Sequence, residues 1–269
     1  MKIIDFHAHA FPDSLASRAI GALEAETDDV NACLDGTIGA LLGSMDRANI
    51  ETTIIANIAT KPGQFTPILE WSRRIASDRI VPFPSLHPAD PDPQARVAEI
   101  HEAGFKGIKL HPYYQGFVFD DEAMFPIYGE IARRGLILLS HTGFDIAFPR
   151  DRIADPVRVR RVLDAFPDLR LVCSHLGAWE DWDEAERHLI GTPVFIEISF
   201  SLNTLPPERG RELLLRHPKE KLLFGTDSPW EDQKSAVERV STLGLSSELL
   251  ESLLYRNAEK LLGNTAGSI

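Results

Sequence analysis

The chain has 269 residues, with 28 Lys plus Arg against 40 Asp plus Glu, a formal charge of −12 and 43% hydrophobic residues. That surplus of carboxylates excludes the clustered cations a phosphate backbone attracts, and no stretch nears the ~20 apolar residues of a membrane span, so neither nucleic acid nor a membrane is an expected partner. The length fits one α/β barrel of about 250 residues as well as two smaller domains, and the N-terminus enters a strand-like run without a charged and apolar leader, which reads as a cytoplasmic protein.

Short runs rich in Ile, Val, Leu and Phe recur along the whole chain, at residues 3–9, 53–58, 80–87, 107–111, 136–142, 170–177, 194–200 and 222–227. Most are separated by one helix and two loops, so the pattern reads as βα repeated eight times. Asp92-Pro93 and Asp155-Pro156 place a capping acceptor before a proline whose missing N–H costs a first helical turn nothing. Ser246 precedes an amphipathic run over 249–262 that stops at Gly263-Asn264. Residues 11–35 exceed an ordinary βα loop, so they are expected to carry a short helix and cover one face. Neither a dinucleotide nor a phosphate-loop fingerprint is present, which favours a closed barrel over an open sheet, in one domain spanning 1–269. Cys33 and Cys173 lie too far apart in sequence for metal-binding spacing and read as ordinary small apolar residues.

Barrel enzymes gather their chemistry at the carboxyl ends of the strands. Six of the nine histidines fall there: His7, His9, His87, His111, His141 and His175. His7 and His9 are two apart on a strand, so alternation turns both to one face as a clamp for a cation, with Asp5 one step deeper on that face. His141 ends LILLSH and His175 ends LVCSH, and a buried imidazole needs a polar partner. Asp227 ends LLFGTD, where a carboxylate after a hydrophobic strand is costly unless it is paired, caps a helix or meets a cation. His87, before Pro88, reads as a turn residue.

IIDFHAH, GIKLHP, LLSHTG, LVCSHLG, LLFGTDSPW and RNAEKLLG, in this order over residues 3–263, resemble the amidohydrolase superfamily, in particular the amidohydrolase-related branch that includes aminocarboxymuconate semialdehyde decarboxylase. The resemblance implies a (βα)8 TIM barrel with a divalent metal at the carboxyl face, zinc first and one ion. It matches His7, His9, His141 and Asp227 to metal ligands and His175 to a catalytic histidine. Some branches bridge two metals with a modified lysine at the place of Lys109. The single-metal arrangement instead leaves Lys109 deeper, paired with Glu197, and puts His111 in the substrate pocket.

Three imidazoles and a carboxylate suit zinc, with iron, manganese and cobalt as alternatives. Asp227 would accept a proton from an activated water, and His175 would orient that water or stabilise charge on the attacked oxygen. Phe11, Tyr113, Tyr114, Phe117, Phe144, Trp179, Trp182 and Trp230 follow strand ends, and Arg150 and Arg152 follow the fifth strand. A small cyclic or aromatic carboxylate would then lie near His111 between Tyr113, Trp179 and Trp230, its carboxylate forked by Arg150 or Arg152. Three readings stay open: hydrolysis of a C–O or C–N bond, decarboxylation of an unsaturated or aromatic acid, and a non-catalytic ligand-binding barrel with a structural metal. The partner is a small molecule in each, and a homo-oligomer remains compatible with all three.

Overall fold

Each apolar run supplies one parallel strand in the computed structural model, which describes residues 2–27 and 30–263. The strands are β1 (Ile4–Ala8), β2 (Thr52–Ala56), β3 (Ile80–Phe83), β4 (Gly107–Leu110), β5 (Ile137–Ser140), β6 (Arg170–Cys173), β7 (Phe195–Glu197) and β8 (Leu222–Leu223). β1 to β3 form one continuous ladder and β4 to β8 another. The two seams close the barrel: Phe6 N donates to Phe224 O at 2.7 Å and Lys109 N to Pro84 O at 2.9 Å. Pro82 and Pro84 cannot donate, which explains the sparse bonding at the second seam. Gly107 allows it to close, since a Cβ there would come within 2.4 Å of the Phe83 ring.

The helices are α1 (Asp13–Glu24), α2 (Ile38–Ala48), α3 (Phe65–Ile75), α4 (Pro93–Glu102), α5 (Pro112–Gln115), α6 (Phe125–Arg133), α7 (Pro156–Ala165), α8 (Trp182–His188), α9 (Pro207–Arg216), α10 (Gln233–Ser241), α11 (Ser247–Glu251) and α12 (Asn257–Gly263). The expected caps form: Asp92 accepts from Ala95 N at 3.0 Å, Asp155 from Val157 N at 3.1 Å and Ser246 from Leu249 N at 3.3 Å. A π-helical turn, Ser252–Arg256, joins α11 to α12. Its wider spacing leaves Leu253 O able to take the Phe224 N–H at 3.0 Å, which ends β8. Among the described residues no helix is long and apolar enough to cross a membrane.

Strand alternation divides the core in two. Ile4, Phe6, Ile54, Leu139, Val172 and Leu223 fill the barrel, plugged from below by Ala258 and Leu261 of α12. Ile55, Ile108, Leu138, Leu171 and Ile196 face the helix layer. Cys173 joins that outer core, but Cys33 is exposed, so only one of the two cysteines is a packing residue.

Two features depart from simple alternation. The β1–β2 register advances from Asp5↔Thr53 to Ala8↔Ile55, which inserts one extra residue in β1. This bulge reverses the strand's parity, so Phe6 and His7 both reach the interior while Asp5 faces away, against the expectation that it shares the face of His7. Asp5 instead accepts from Thr226 N (3.0 Å), Thr226 Oγ1 (2.6 Å) and Gln233 Nε2 (2.8 Å), tying β1 to the segment that carries Asp227. The long connection after β1 forms α1 as expected. Phe11 N donates to Gly36 O at 2.8 Å, which draws the two ends of this excursion together.

Candidate metal and active site

Four histidine side chains meet at the mouth of the barrel, and each has one ring nitrogen bound to an acceptor. His9 Nδ1 lies 2.8 Å from Ala56 O, His141 Nε2 2.7 Å from Phe144 O, and His175 Nδ1 3.1 Å from Ser199 O. His7 Nδ1 lies 2.9 Å from Glu197 Oε1. A carbonyl only accepts, and both Glu197 oxygens already accept from backbone N–H groups, of His175 and Ser199, so these nitrogens carry the protons. The other nitrogen of each ring therefore holds a lone pair, and those lone pairs are the ones that converge.

His141 Nδ1 faces His175 Nε2 at 3.1 Å. His9 Nε2 and His7 Nε2 face Asp227 Oδ1 at 3.0 and 3.4 Å. Acceptor against acceptor is repulsive unless a proton or a cation lies between. Burial holds His7, His141 and His175 below the usual histidine range, which disfavours the proton. The donor set thus fits a divalent cation, with the opposite nitrogens held by partners that fix each tautomer, as metal-binding histidines usually are. Lys109 Nζ supplies a donor at this centre, 3.0 Å from His7 Nε2.

The groups compact enough to hold an ion divide the residues in an unexpected way. His7, His9 and Asp227 form one group, and His7, His175 and Glu197 a second. His141 belongs instead with His111 and Asp145, and reaches the others through its contact with His175.

Local backbone holds these side chains in place. His175 and Asp227 both adopt left-handed conformations, with φ of 57° and 61°. Such residues cost about 1–3 kcal/mol each and persist only where surroundings enforce them. At His175 the enforcement is visible: its N–H donates to Glu197 Oε1 at 3.2 Å, and Trp182 Nε1 donates to its carbonyl at 3.0 Å. Gly225 provides the space for Glu197, since a Cβ there would stand 2.2 Å from Oε2. Glu197 also accepts from Ser199 N (2.6 Å) and Ser199 Oγ (2.8 Å). It is thus committed to His7 and its neighbours, and the expected pairing with Lys109 is replaced by the lysine's bond to His7. Burial raises Glu197 and lowers Lys109.

Burial acts to raise the Asp227 carboxyl, but its imidazole neighbours and the Lys109 ammonium outweigh it and leave it below the ordinary range. Across the mouth, His111 Nε2 lies 3.3 Å from Asp145 Oδ2, and its ring stacks on His141 with centroids 4.3 Å apart. Asp145 escaped the sequence reading, although its place four residues after His141 was a usable signal.

These groups form the base of a cavity of ≈520 Å³. His111, Trp179 and Trp230 line it as expected. Tyr113 does not. Its hydroxyl donates to Asp151 O at 2.6 Å and lies 3.1 Å from Gly143 O behind His141, and the neighbouring Tyr114 takes the lining position. Arg150 and Arg152 also lie outside the lining. Arg150 pairs with Glu180 and Arg152 with Asp181, and both guanidinium groups sit over the Phe144 ring. The expected carboxylate fork is thus taken up by surface ion pairs. His87 is a turn residue, as its place before Pro88 implies, its Nδ1 accepting from Ala89 N at 3.1 Å.

The sequence profile of the family described as Amidohydrolase matches residues 4–263. No curated protein matches the chain. Among crystal structures, a TIM-barrel protein of Bordetella bronchiseptica superposes with a TM-score of 0.80 at 22% identity, covering 98% of this chain and 99% of its own. The 5-carboxyvanillate decarboxylase of Sphingomonas paucimobilis superposes at 0.71 with 14% identity, over 97% of this chain and 99% of that one. A protein of Acinetobacter baumannii named probable 2-pyrone-4,6-dicarboxylic acid hydrolase, solved with citric acid, superposes at 0.69 with 14% identity, over 98% and 100%.

Proposed function

The chain belongs to the amidohydrolase family, and from that premise we propose a metal-dependent hydrolase that adds water across a C–O or C–N bond of a small cyclic or aromatic substrate. His7, His9, His141 and Asp227 would hold one divalent cation, with zinc the metal best suited to this nitrogen and oxygen set. The observation that carries the reading is the set of lone pairs that face one another at the mouth, His141 Nδ1 against His175 Nε2 at 3.1 Å and His9 Nε2 against Asp227 Oδ1 at 3.0 Å. When bound, such a cation supplies Lewis-acid chemistry, polarising a carbonyl and making water a nucleophile near neutral pH.

The remaining work falls to the chain. Asp227, held ionised, takes the proton of the attacking water at its carboxylate and returns it to the oxygen or nitrogen of the bond that breaks. His175 presents Nε2 to the reacting centre because Ser199 O holds Nδ1 and Trp182 holds its backbone. Its pKa, lowered by burial, keeps it neutral, so the Nε2 lone pair can orient water by accepting its hydrogen bond. Glu197 fixes His7, and His111 with Asp145 flanks the substrate from the opposite wall. Trp179 and Trp230 contribute flat apolar surface for a ring.

Decarboxylation is the second reading, because the 5-carboxyvanillate decarboxylase shares the fold. Hydrolysis is favoured by the lining itself: among the described residues it carries Asp145 and Asp227 but no arginine to receive a carboxylate about to leave. The test is a panel of neutral lactones, aryl esters and amides, assayed with zinc-replete protein beside carbon dioxide release from hydroxybenzoates. Bond cleavage by water without carbon dioxide is expected. Carbon dioxide release with no hydrolysis would sink the reading.

A further inference from the structure

The wall that faces the metal-binding residues has its own chemistry. On α1, Leu15, Ala19, Ala22 and Leu23 follow the spacing of one helix face and line the cavity, and on α3 Ile68 and Trp71 do the same. Of the large apolar side chains left exposed among the described residues, Leu15 (41%), Ile146 (44%) and Leu215 (50%), the first two belong to this cavity. With the α1 and α3 faces these two make one contiguous apolar surface, and such a patch at a cavity marks a ligand-binding groove. The cationic lysine of the lining, Lys109, is fully buried and donates to His7, and Arg150 and Arg152 are paired elsewhere. None of residues 1, 28, 29 or 264–269 is a lysine or arginine, so they add no basic side chain.

Resting on the reading of this cavity as the substrate site, we propose that the substrate is uncharged and apolar at the end remote from the reacting bond, and is not a di- or tricarboxylate. A second carboxylate placed against α1 and α3 would lose its water with no basic side chain in that part of the lining to replace it, and would meet the field of Asp145. An apolar ring system there displaces water from Leu23, Ile68 and Trp71 instead, and a cavity of ≈520 Å³ has room for more than one ring.

Binding tests this without any turnover. Isothermal titration of zinc-replete protein compares 2-naphthoate with naphthalene-2,6-dicarboxylate, which share the proximal carboxylate and differ only at the far end. The dicarboxylate is expected to bind at least ten-fold more weakly, and Ile68→Arg or Leu23→Arg to reverse or erase that preference while circular dichroism shows the fold intact. Equal or tighter binding of the dicarboxylate to the unmodified protein overturns the proposal, as does failure of both probes to bind. Should the preference hold while no ester, lactone or amide is cleaved, the hydrolase reading fails and this one stands.

Discussion

The two ends of the barrel treat their polar groups in opposite ways. At the floor, His217 accepts from Gly191 N at 3.3 Å through Nδ1 and donates to Val194 O at 3.0 Å through Nε2. Nearby, Asn257 Nδ2 donates to Lys219 O and Leu222 O, both at 2.7 Å. Donor there meets acceptor, and the result is a sealed base under the interior core. At the mouth, the inward nitrogens hold lone pairs: that of His141 faces that of His175 and that of His9 faces Asp227, while only His7 finds a donor, in Lys109. A buried histidine with both nitrogens matched is a structural residue. One whose second nitrogen faces only lone pairs is waiting for a cation.

The strongest way to break this contrast is Asp227→Asn. It should lower kcat/KM by about 10³-fold or more, roughly 4 kcal/mol of barrier. In chelator-treated protein it should raise Tm, because an amide can donate to a histidine nitrogen where the carboxylate repels it. Calorimetry showing a lower Tm for the chelated variant would mean that the mouth is already matched without a cation.

At the floor the corresponding effect is on stability. Burial lowers His217 from 6.5 to about 4. Below pH 6.5 the unfolded chain binds a proton that the folded chain refuses, so stability present above 6.5 is lost as pH falls toward 4, by up to about 3 kcal/mol. Denaturant titrations across that window should give a pH slope about one proton shallower for His217→Asn than for the parent, with kcat at neutral pH unchanged. An unaltered slope would place the acid sensitivity elsewhere.

Between these lies Glu197→Gln. The glutamine keeps the shape but binds His7 Nδ1 without charge, so metal affinity should fall about 10- to 100-fold while thermal stability changes little. Competition with a fluorescent chelator reads the affinity, and a loss of less than three-fold would show that Glu197 serves packing alone.

Much of this site could be read in the chain, because its signals are local. A histidine that ends an apolar strand announces both its depth and its end of the barrel, and HxH on β1 announces a shared face. Asp5 was misplaced by the same rule, because a bulge between two strands is a matter of register and leaves no mark on one strand alone. The arginines failed for a different reason. Position after a strand end says that a side chain is near the mouth, not which partner it meets first, and Glu180 and Asp181 lie in the next loop. Tyr113 and Tyr114 are adjacent, and only the turn of α5 decides which one faces the cavity.

By itself the sequence determined the barrel, its order of strands, the cover after β1 and the histidines and aspartate at its mouth, since each follows from periodicity or from a residue's distance along one strand. The tertiary structure alone decided which nitrogen of each ring is free, that Glu197 serves His7 rather than Lys109, and that α1 and α3 make the remote wall apolar. Those facts belong to pairs of groups from distant elements, and such pairs exist only once the chain has closed.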